Sequence, residues 1–398
     1  MEPISVLIVD DSALMRNLIR RMLESDSDIS VAGTALNGEF ALRKTLFLKP
    51  DVIILDLEMP VLDGFGFLEK RKENNWDIPV VILSAVAKKG AEVTMRALAL
   101  GASDFITKPA GNSPEDNRRT AEQLIEMVKG YGGAYRKKKA FLNGEKAVHG
   151  SSPAKKTYTA PASGLPSASH KEKKKVSGDV PSALQTRPST APASPRDNWP
   201  VITPRRQPAP PEIIAIGIST GGPNALRTIF PKISPSLKLP IVVVQHMPAG
   251  FTLEFAKSLD RICPLEVKEA ADGDLVKPGR ILIAPGDKHV VVEKRKLATV
   301  IKTLDTENVN GHKPSAGVLF DSVAKEFGNA AVAIIMTGMG RDGSREIGTV
   351  YEEGGITIAQ DEETSVVFGM PRVAIEHNYI TRVEPLEKIA EVINELGT

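Results

Sequence analysis

Ile213-Ile214-Ala215-Ile216-Gly217-Ile218-Ser219-Thr220-Gly221-Gly222 reads as a buried strand running straight into a glycine-rich turn. An unbroken apolar run suits a parallel strand covered on both faces, and the glycines suit a tight turn into a helix. Such a turn exposes a hydroxyl, here Ser219, beside the free amides of a helix start, where negative charge is stabilised. Taken alone, the pattern serves a nucleophile, a phosphate cradle or a simple change of direction. Comparable runs recur at Ile241-Val242-Val243-Val244, Ile281-Leu282-Ile283-Ala284, Val332-Ala333-Ile334-Ile335-Met336 and Ile356-Thr357-Ile358-Ala359. Residues 211–398 are therefore expected to form a doubly wound, mostly parallel α/β domain. His289-Val290-Val291-Val292 and Ala298-Thr299-Val300-Ile301 flank Lys294-Arg295-Lys296 and predict an appended hairpin.

Residues 1–128 show a second, five-fold βα pattern. Val6-Leu7-Ile8-Val9, Ile29-Ser30-Val31-Ala32, Val52-Ile53-Ile54-Leu55, Val80-Val81-Ile82-Leu83 and Asp104-Phe105-Ile106 predict a five-stranded parallel sheet of flavodoxin-like type, with functional residues at its carboxyl edge. Residues 129–210 differ in character. Arg136-Lys137-Lys138-Lys139 and Lys171-Glu172-Lys173-Lys174-Lys175 sit among Ser, Ala, Thr and Pro, with too few large apolar residues to offset ordering entropy. A basic, disordered linker is expected there.

The length of 398 residues fits two domains and a tether. A hydrophobic content of 41% and a charged content of 25% are those of ordinary globular protein. A net charge of +2 argues against a nucleic-acid footprint over the whole molecule. The single cysteine, Cys263, excludes an intramolecular disulfide and a cysteine-cluster metal site. Met1-Glu2-Pro3-Ile4-Ser5 lacks a basic stretch followed by an apolar one, and no apolar run is long enough to span a bilayer. A cytoplasmic protein without membrane insertion is the expectation.

In the first domain Asp10 and Asp11 follow the first strand and Asp56 follows the third. Converging carboxylates repel one another, and all-oxygen ligation suits Mg²⁺. Ser84 and Lys108 end the fourth and fifth strands, adding a hydroxyl and an ammonium to the same edge. Together these groups would support phosphoryl transfer to a carboxylate. Singly, Asp11-Ser12 could cap a helix and Lys108 could lie on the surface. In Val9-Asp10-Asp11-Ser12, Leu55-Asp56-Leu57-Glu58-Met59-Pro60, Leu83-Ser84-Ala85 and Phe105-Ile106-Thr107-Lys108-Pro109, residues 4–128 resemble a response-regulator receiver domain. The resemblance implies that Asp56 accepts the phosphoryl group and that Asp10, Asp11 and the Glu58 backbone carbonyl hold Mg²⁺. It further implies that Ser84 and Lys108 contact the phosphoryl oxygens, that Phe105 repacks, and that Lys108–Pro109 is cis.

In the second domain a serine nucleophile needs a base, and the base needs a partner that fixes its tautomer. His246 follows one buried strand and Asp342 follows another, in Met336-Thr337-Gly338-Met339-Gly340-Arg341-Asp342-Gly343. Of the six histidines, His289 and His312 compete less well, since neither directly follows a buried parallel strand. His246 could also be a strand-end hydrogen-bonding residue, and Asp342-Gly343 an ordinary turn. The order Ser, His, Asp is not that of α/β-hydrolases.

The Ser219 loop, Gln245-His246-Met247-Pro248 with Phe251-Thr252, Ala284-Pro285-Gly286-Asp287-Lys288-His289 and the Asp342 loop resemble the catalytic domain of chemotaxis protein-glutamate methylesterases. That family couples such a domain to an N-terminal receiver. The resemblance implies hydrolysis of glutamyl γ-methyl esters on methyl-accepting chemoreceptors by Ser219, His246 and Asp342. Amides of Thr220 or Met339 would form the oxyanion hole, and no cofactor would serve the hydrolysis. Some members also deamidate receptor glutamines. A chemotaxis histidine kinase would supply the phosphoryl group. One position departs: Gly317 stands where an acidic residue is expected. The alternative is a response regulator with a non-catalytic, protein-binding output. DNA binding lacks a basic helix-turn-helix pattern, and nucleotide binding lacks both a Walker lysine and a full Gly-x-Gly-x-x-Gly.

Overall fold

Apolar runs separated by amphipathic segments leave the chain few options: the runs are buried as parallel strands, and the segments between them cross over as helices. The computed structural model describes residues 2–84, 88–109, 114–142 and 202–397. The first unit holds β1 (Ile4–Val9), α1 (Ala13–Leu23), β2 (Ile29–Ala35), α2 (Gly38–Leu48), β3 (Val52–Asp56), α3 (Gly64–Glu73), β4 (Val80–Ser84), α4 (Lys88–Ala99), β5 (Asp104–Thr107) and α5 (Pro114–Leu142). Its strands pair in parallel in the order β2-β1-β3-β4-β5, the sheet expected of a receiver. Every residue of β3 and β4 is buried. Helix starts are set by side-chain caps: Ser12, Asn37 and Asp63 accept the amides of Met15, Phe40 and Gly66.

Two expectations for this unit need correction. The boundary at 128 falls inside α5, because residues assigned to the linker are anchored to the sheet. The Tyr131 hydroxyl donates to Ser103 O at 2.8 Å. The Arg136 guanidinium reaches Asp51 at 2.6 Å, and Lys138 reaches Asp77 at 2.7 Å. The basic run is thus the polar face of a helix end. Among the described residues the cis peptide bond is Lys313–Pro314, so the expected cis bond at Lys108–Pro109 is not found. Lys108 is set in place instead by its own amide, which donates to Ser84 O at 2.8 Å.

The second unit holds β6 (Ile213–Ile218), α6 (Gly222–Ile229), β7 (Ile241–Gln245), α7 (Phe251–Asp260), β8 (Glu266–Glu269), β9 (Arg280–Ile283), β10 (His289–Lys294) and β11 (Thr299–Leu304). It continues with α8 (Ala316–Phe327), β12 (Ala331–Ile335), α9 (Ile347–Glu352), β13 (Ile356–Gln360), α10 (Met370–Glu376), β14 (Arg382–Glu384) and α11 (Leu386–Leu396). Seven strands pair in parallel in the order β14-β13-β12-β6-β7-β9-β8, and β10 and β11 form the separate antiparallel hairpin. The chain leaves β6 toward β7 and returns to its other side at β12, so a topological switch point lies at the carboxyl end of β6. The short edge strands β8 and β14 have no apolar run and were not anticipated.

Residues 202–210 also depart from the linker reading. Arg205 and Arg206 pair with Glu352 and Glu353 at 2.6 to 2.9 Å, tying this segment to the end of α9. The rest of the expected linker, 143–201, lies outside the described residues.

The two units pack against each other through β5, α4 and α5 of the first. Phe105 stacks on Phe251 with centroids 5.0 Å apart and planes 6° from parallel. Val366 packs against the apolar cluster of α1, α5 and the first sheet. A Cβ added at Gly130 in α5 would lie 2.2 Å from the Val366 carbonyl oxygen, a backbone atom that cannot rotate aside. Alanine is favoured over glycine by about 1 kcal/mol inside a helix. Gly130→Ala is therefore expected to leave the first unit intact while separating the units. Amide exchange should accelerate at Gly221 and Val367 but not in β1 or β3; unchanged protection at Gly221 would contradict this packing.

Candidate active site and receiver carboxylate cluster

Ser219, His246 and Asp342 arrive at one sheet edge because each follows a central strand: β6, β7 and β12. The Ser219 amide donates to Thr337 O at 3.0 Å, joining the β6 and β12 loops. Gly221 adopts φ +84° and begins α6, a backbone conformation that a side chain would strain. A Cβ at Gly222 would lie 1.9 Å from Gln245 Oε1, so a side chain there would displace the Gln245 amide, whose Nε2 donates to Ser219 O at 3.0 Å.

His246 Nε2 lies 2.8 Å from Asp342 Oδ2. Asp342 is 1% exposed, and its carboxylate is met at the N-terminus of α8 by the Ala316 amide at 2.6 Å and the Ser315 hydroxyl at 2.6 Å. The Asn310 side-chain amide adds a third donor at 3.1 Å. Burial works to raise the Asp342 pKa, but the hydrogen bond and charge of His246, with Ser315 and Asn310, outweigh it. The carboxyl is held well below the usual carboxylate range. His246 Nδ1 is buried with no hydrogen-bond partner among the described residues. With Nε2 committed to Asp342, Nδ1 is the ring nitrogen left to receive a proton. Neither the Thr220 nor the Met339 amide is engaged by a hydrogen bond among the described residues.

The competing histidines both support this pair. His312 stacks on His246 with centroids 3.8 Å apart and planes 4° from parallel. It sits on a turn closed by reciprocal backbone bonds between Val309 and His312, at 3.0 and 2.9 Å. His289 is fully buried; its Nδ1 accepts the Ser315 amide at 3.1 Å and its Nε2 donates to Glu307 O at 2.9 Å. Sequence reasoning missed Ser315, Asn310 and the stacking role of His312. Ser315 alone carried a signal, as a capping serine before the apolar start of α8.

In the first unit Asp10, Asp11 and Asp56 offer ligand oxygens that all lie within 4.8 Å of one another. Lys108 Nζ lies 2.6 Å from Asp56 Oδ2 and 3.1 Å from Asp10 Oδ2. Burial raises the Asp56 carboxyl above its ordinary range, against the pull of Lys108. Asp10 Oδ2 is buried without a well-aligned hydrogen bond. Three carboxylates with oxygens within 4.8 Å of one another, two of them met by the Lys108 ammonium, are an oxygen donor set that fits Mg²⁺. Ser84 is buried at the same edge, its hydroxyl 2.6 Å from that of Thr94.

The two edges are joined by β5. Asp104 Oδ2 accepts the Gly221 amide at 2.7 Å, within two residues of Ser219. Burial pushes this carboxyl up to about 6. Its neighbour Phe105 stacks on Phe251, the first residue of α7.

His312 gives this geometry a measurable signature. Burial first, then the charge on His246 and, weakly, that of Arg119, lower its pKa from 6.5 to about 4, while Asp342 opposes them. The folded chain therefore keeps His312 neutral in a range where the unfolded chain protonates it. Its contribution to stability is present above pH 6.5 and is lost as pH falls toward about 4. Wild type should lose melting temperature relative to His312→Phe across that window. Parallel curves for the two proteins would mean that His312 is not buried against His246.

Family models match both units: CheB methylesterase over residues 214–393 and response regulator receiver domain over residues 6–116. The chain is 51% identical over 397 residues to the protein-glutamate methylesterase/protein-glutamine glutaminase of Treponema denticola, covering 100% of this chain and 99% of that protein. It is 46% identical over 404 residues to the protein of the same name from Treponema pallidum, covering 99% and 97%. Among solved structures, the CheB methylesterase catalytic domain of Thermotoga maritima is 42% identical, with a TM-score of 0.46, and spans 47% of this chain and 98% of that one. With an acidic receiver edge ahead of a serine-histidine-aspartate edge along its whole length, the chain belongs to the protein-glutamate methylesterase/protein-glutamine glutaminase family.

Proposed function

We propose that Ser219, His246 and Asp342 hydrolyse glutamyl γ-methyl esters on methyl-accepting chemoreceptors, and that phosphorylation of Asp56 releases this activity. The observation that carries the reading is the buried His246–Asp342 pair at 2.8 Å, set at the same sheet edge as Ser219. Ser219 Oγ attacks the ester carbonyl while His246 Nδ1 takes its proton. Amides of Thr220 and Met339 receive the oxyanion, each good donor lowering the barrier by roughly 3 to 4 kcal/mol. Collapse expels methoxide, which takes the proton from Nδ1 and leaves as methanol. Water then attacks the acyl-serine by the same proton relay, leaving a glutamate carboxylate and restoring Ser219. Asp342 stays ionised throughout and orients the imidazole. Attack on a receptor glutamine by the same steps would release ammonia instead.

In the receiver, Asp56 accepts the phosphoryl group from a chemotaxis histidine kinase. Asp10, Asp11 and the Glu58 carbonyl would hold Mg²⁺, which supplies charge neutralisation at the transferring phosphoryl group. Ser84 and Lys108 contact its oxygens. Lys108 must then leave its pairing with Asp56 for the phosphoryl group, and it lies just beyond β5, whose Asp104 and Phe105 grip the second unit. Phosphorylation thereby loosens the cover over Ser219. Among the described residues no helix is long and apolar enough to cross a membrane.

Methanol release from receptor-bearing membranes methylated beforehand tests the reading. Wild type with Mg²⁺ and acetyl phosphate should release methanol faster than wild type without the phosphodonor, and Ser219→Ala should release none. Asp56→Asn should keep the slow basal rate and ignore the phosphodonor. Methanol release by Ser219→Ala at the wild-type rate would sink the hydrolytic assignment; stimulation of Asp56→Asn would sink the switch.

A further inference from the structure

The hydroxyl of Thr337 is a buried polar group that the proposed hydrolysis does not use. Thr337 lies just past β12 and is 1% exposed, yet each of its hydrogen-bonding groups is engaged. Its carbonyl accepts the Ser219 amide at 3.0 Å, and its own amide donates to Gln360 Oε1 at 2.9 Å. Its hydroxyl donates to Thr220 O at 2.9 Å and accepts the Val367 amide at 3.1 Å.

Thr337 thus grips the nucleophile turn at two consecutive residues, Ser219 by its amide and Thr220 by its carbonyl. The second grip fixes the peptide between Thr220 and Gly221, whose carbonyl meets Thr337 and whose amide meets Asp104 of the first unit at 2.7 Å. The carbonyl and amide of a trans peptide point in opposite directions, so the two contacts hold one rigid plane from its two sides. Glycine takes positive and negative φ with comparable ease, so Gly221, at φ +84°, gives that plane no steric preference. The same hydroxyl holds Val367, whose neighbour Val366 packs against the apolar cluster of the first unit.

We propose that Thr337 is a positioning residue for the hydrolysis, its hydroxyl fixing the Thr220–Gly221 peptide so that Ser219 and the Thr220 amide keep the geometry in which they act. Asp104 belongs to the first unit, and in the proposed switch its contact with Gly221 ends when the cover lifts. The bonds from Thr337 to Ser219 and Thr220 lie within the second unit and survive that step. The turn is therefore held in one conformation before and after uncovering, by an anchor that touches neither the substrate nor the His246–Asp342 pair. A methyl group in place of the hydroxyl would leave Thr220 O and the Val367 amide without this partner, and the glycine would then let the peptide rotate.

The inference rests on the hydrolytic reading of Ser219, and the experiment separates the two. Methanol release by the full chain from receptor-bearing membranes methylated beforehand, with Mg²⁺ and acetyl phosphate, is measured for wild type, Ser219→Ala, Thr337→Val and Thr337→Ser, with kcat and KM resolved. No release by wild type overturns the hydrolytic reading, and with it the role given to Thr337. Given wild-type release, Thr337→Val should lower kcat on the order of tenfold with KM unchanged, the loss expected for one hydrogen bond. Thr337→Ser keeps the hydroxyl and should retain most of the wild-type kcat. Without the phosphodonor, amide exchange in Thr337→Val should accelerate at Val367 but not in β6 or β12, which distinguishes a local loss of positioning from general loosening. Wild-type kcat in folded Thr337→Val, equal losses in the Val and Ser variants, or unchanged protection of Val367 overturns the proposal. Should Thr337→Val not fold, Thr337→Ala and Thr337→Ser decide, since they differ by the hydroxyl alone and equal kcat would overturn it. The wild-type chain gives a further test without any variant: a Val367 amide that exchanges as fast as an exposed one in the absence of phosphodonor also overturns it.

Discussion

The buried charge of Asp342 is the constraint around which the catalytic edge is built. A carboxylate that is 1% exposed is stable only if donors surround it, because an unpaired charge in a protein interior costs several kcal/mol. Three structural elements meet that requirement. The N-terminus of α8 brings an amide and the Ser315 hydroxyl, the turn at Asn310 brings a side-chain amide, and the end of β7 brings His246. Each donor in turn needs its own support: Ser315 is held by His289, and His246 by the ring of His312. The donors that keep Asp342 ionised are thus the ones that orient the imidazole, so stability and preorganisation come from the same contacts.

The receiver edge solves the opposite problem. Its carboxylates crowd together with one ammonium among the described residues, Lys108, at 2.6 and 3.1 Å from two of them. Such a cluster is under-neutralised, which suits a site whose charge changes on phosphoryl transfer. Contacts with the second unit lie on β5, where Asp104 accepts the Gly221 amide and Phe105 stacks on Phe251. The Asp104–Gly221 hydrogen bond joins the two units at 2.7 Å. Burying Asp104 raises its pKa to about 6, so near neutral pH the docked arrangement carries a desolvation cost that offsets part of the hydrogen bond.

Legibility in the sequence followed the physics of burial. Strands β3, β4, β6, β7 and β12 were readable because both faces are covered, which forces continuous apolar runs, and the residues just beyond them were readable as a site for the same reason. The edge strands β8 and β14, Glu266–Glu269 and Arg382–Glu384, have no such requirement and left no pattern. The end of α5 was misread because a solvated helix face bearing Arg136 to Lys139 has the composition of a tether; only the pairing of Arg136 with Asp51 and of Lys138 with Asp77 distinguishes them. Asn310 and His312 act through distant partners, and no local periodicity encodes a contact across loops.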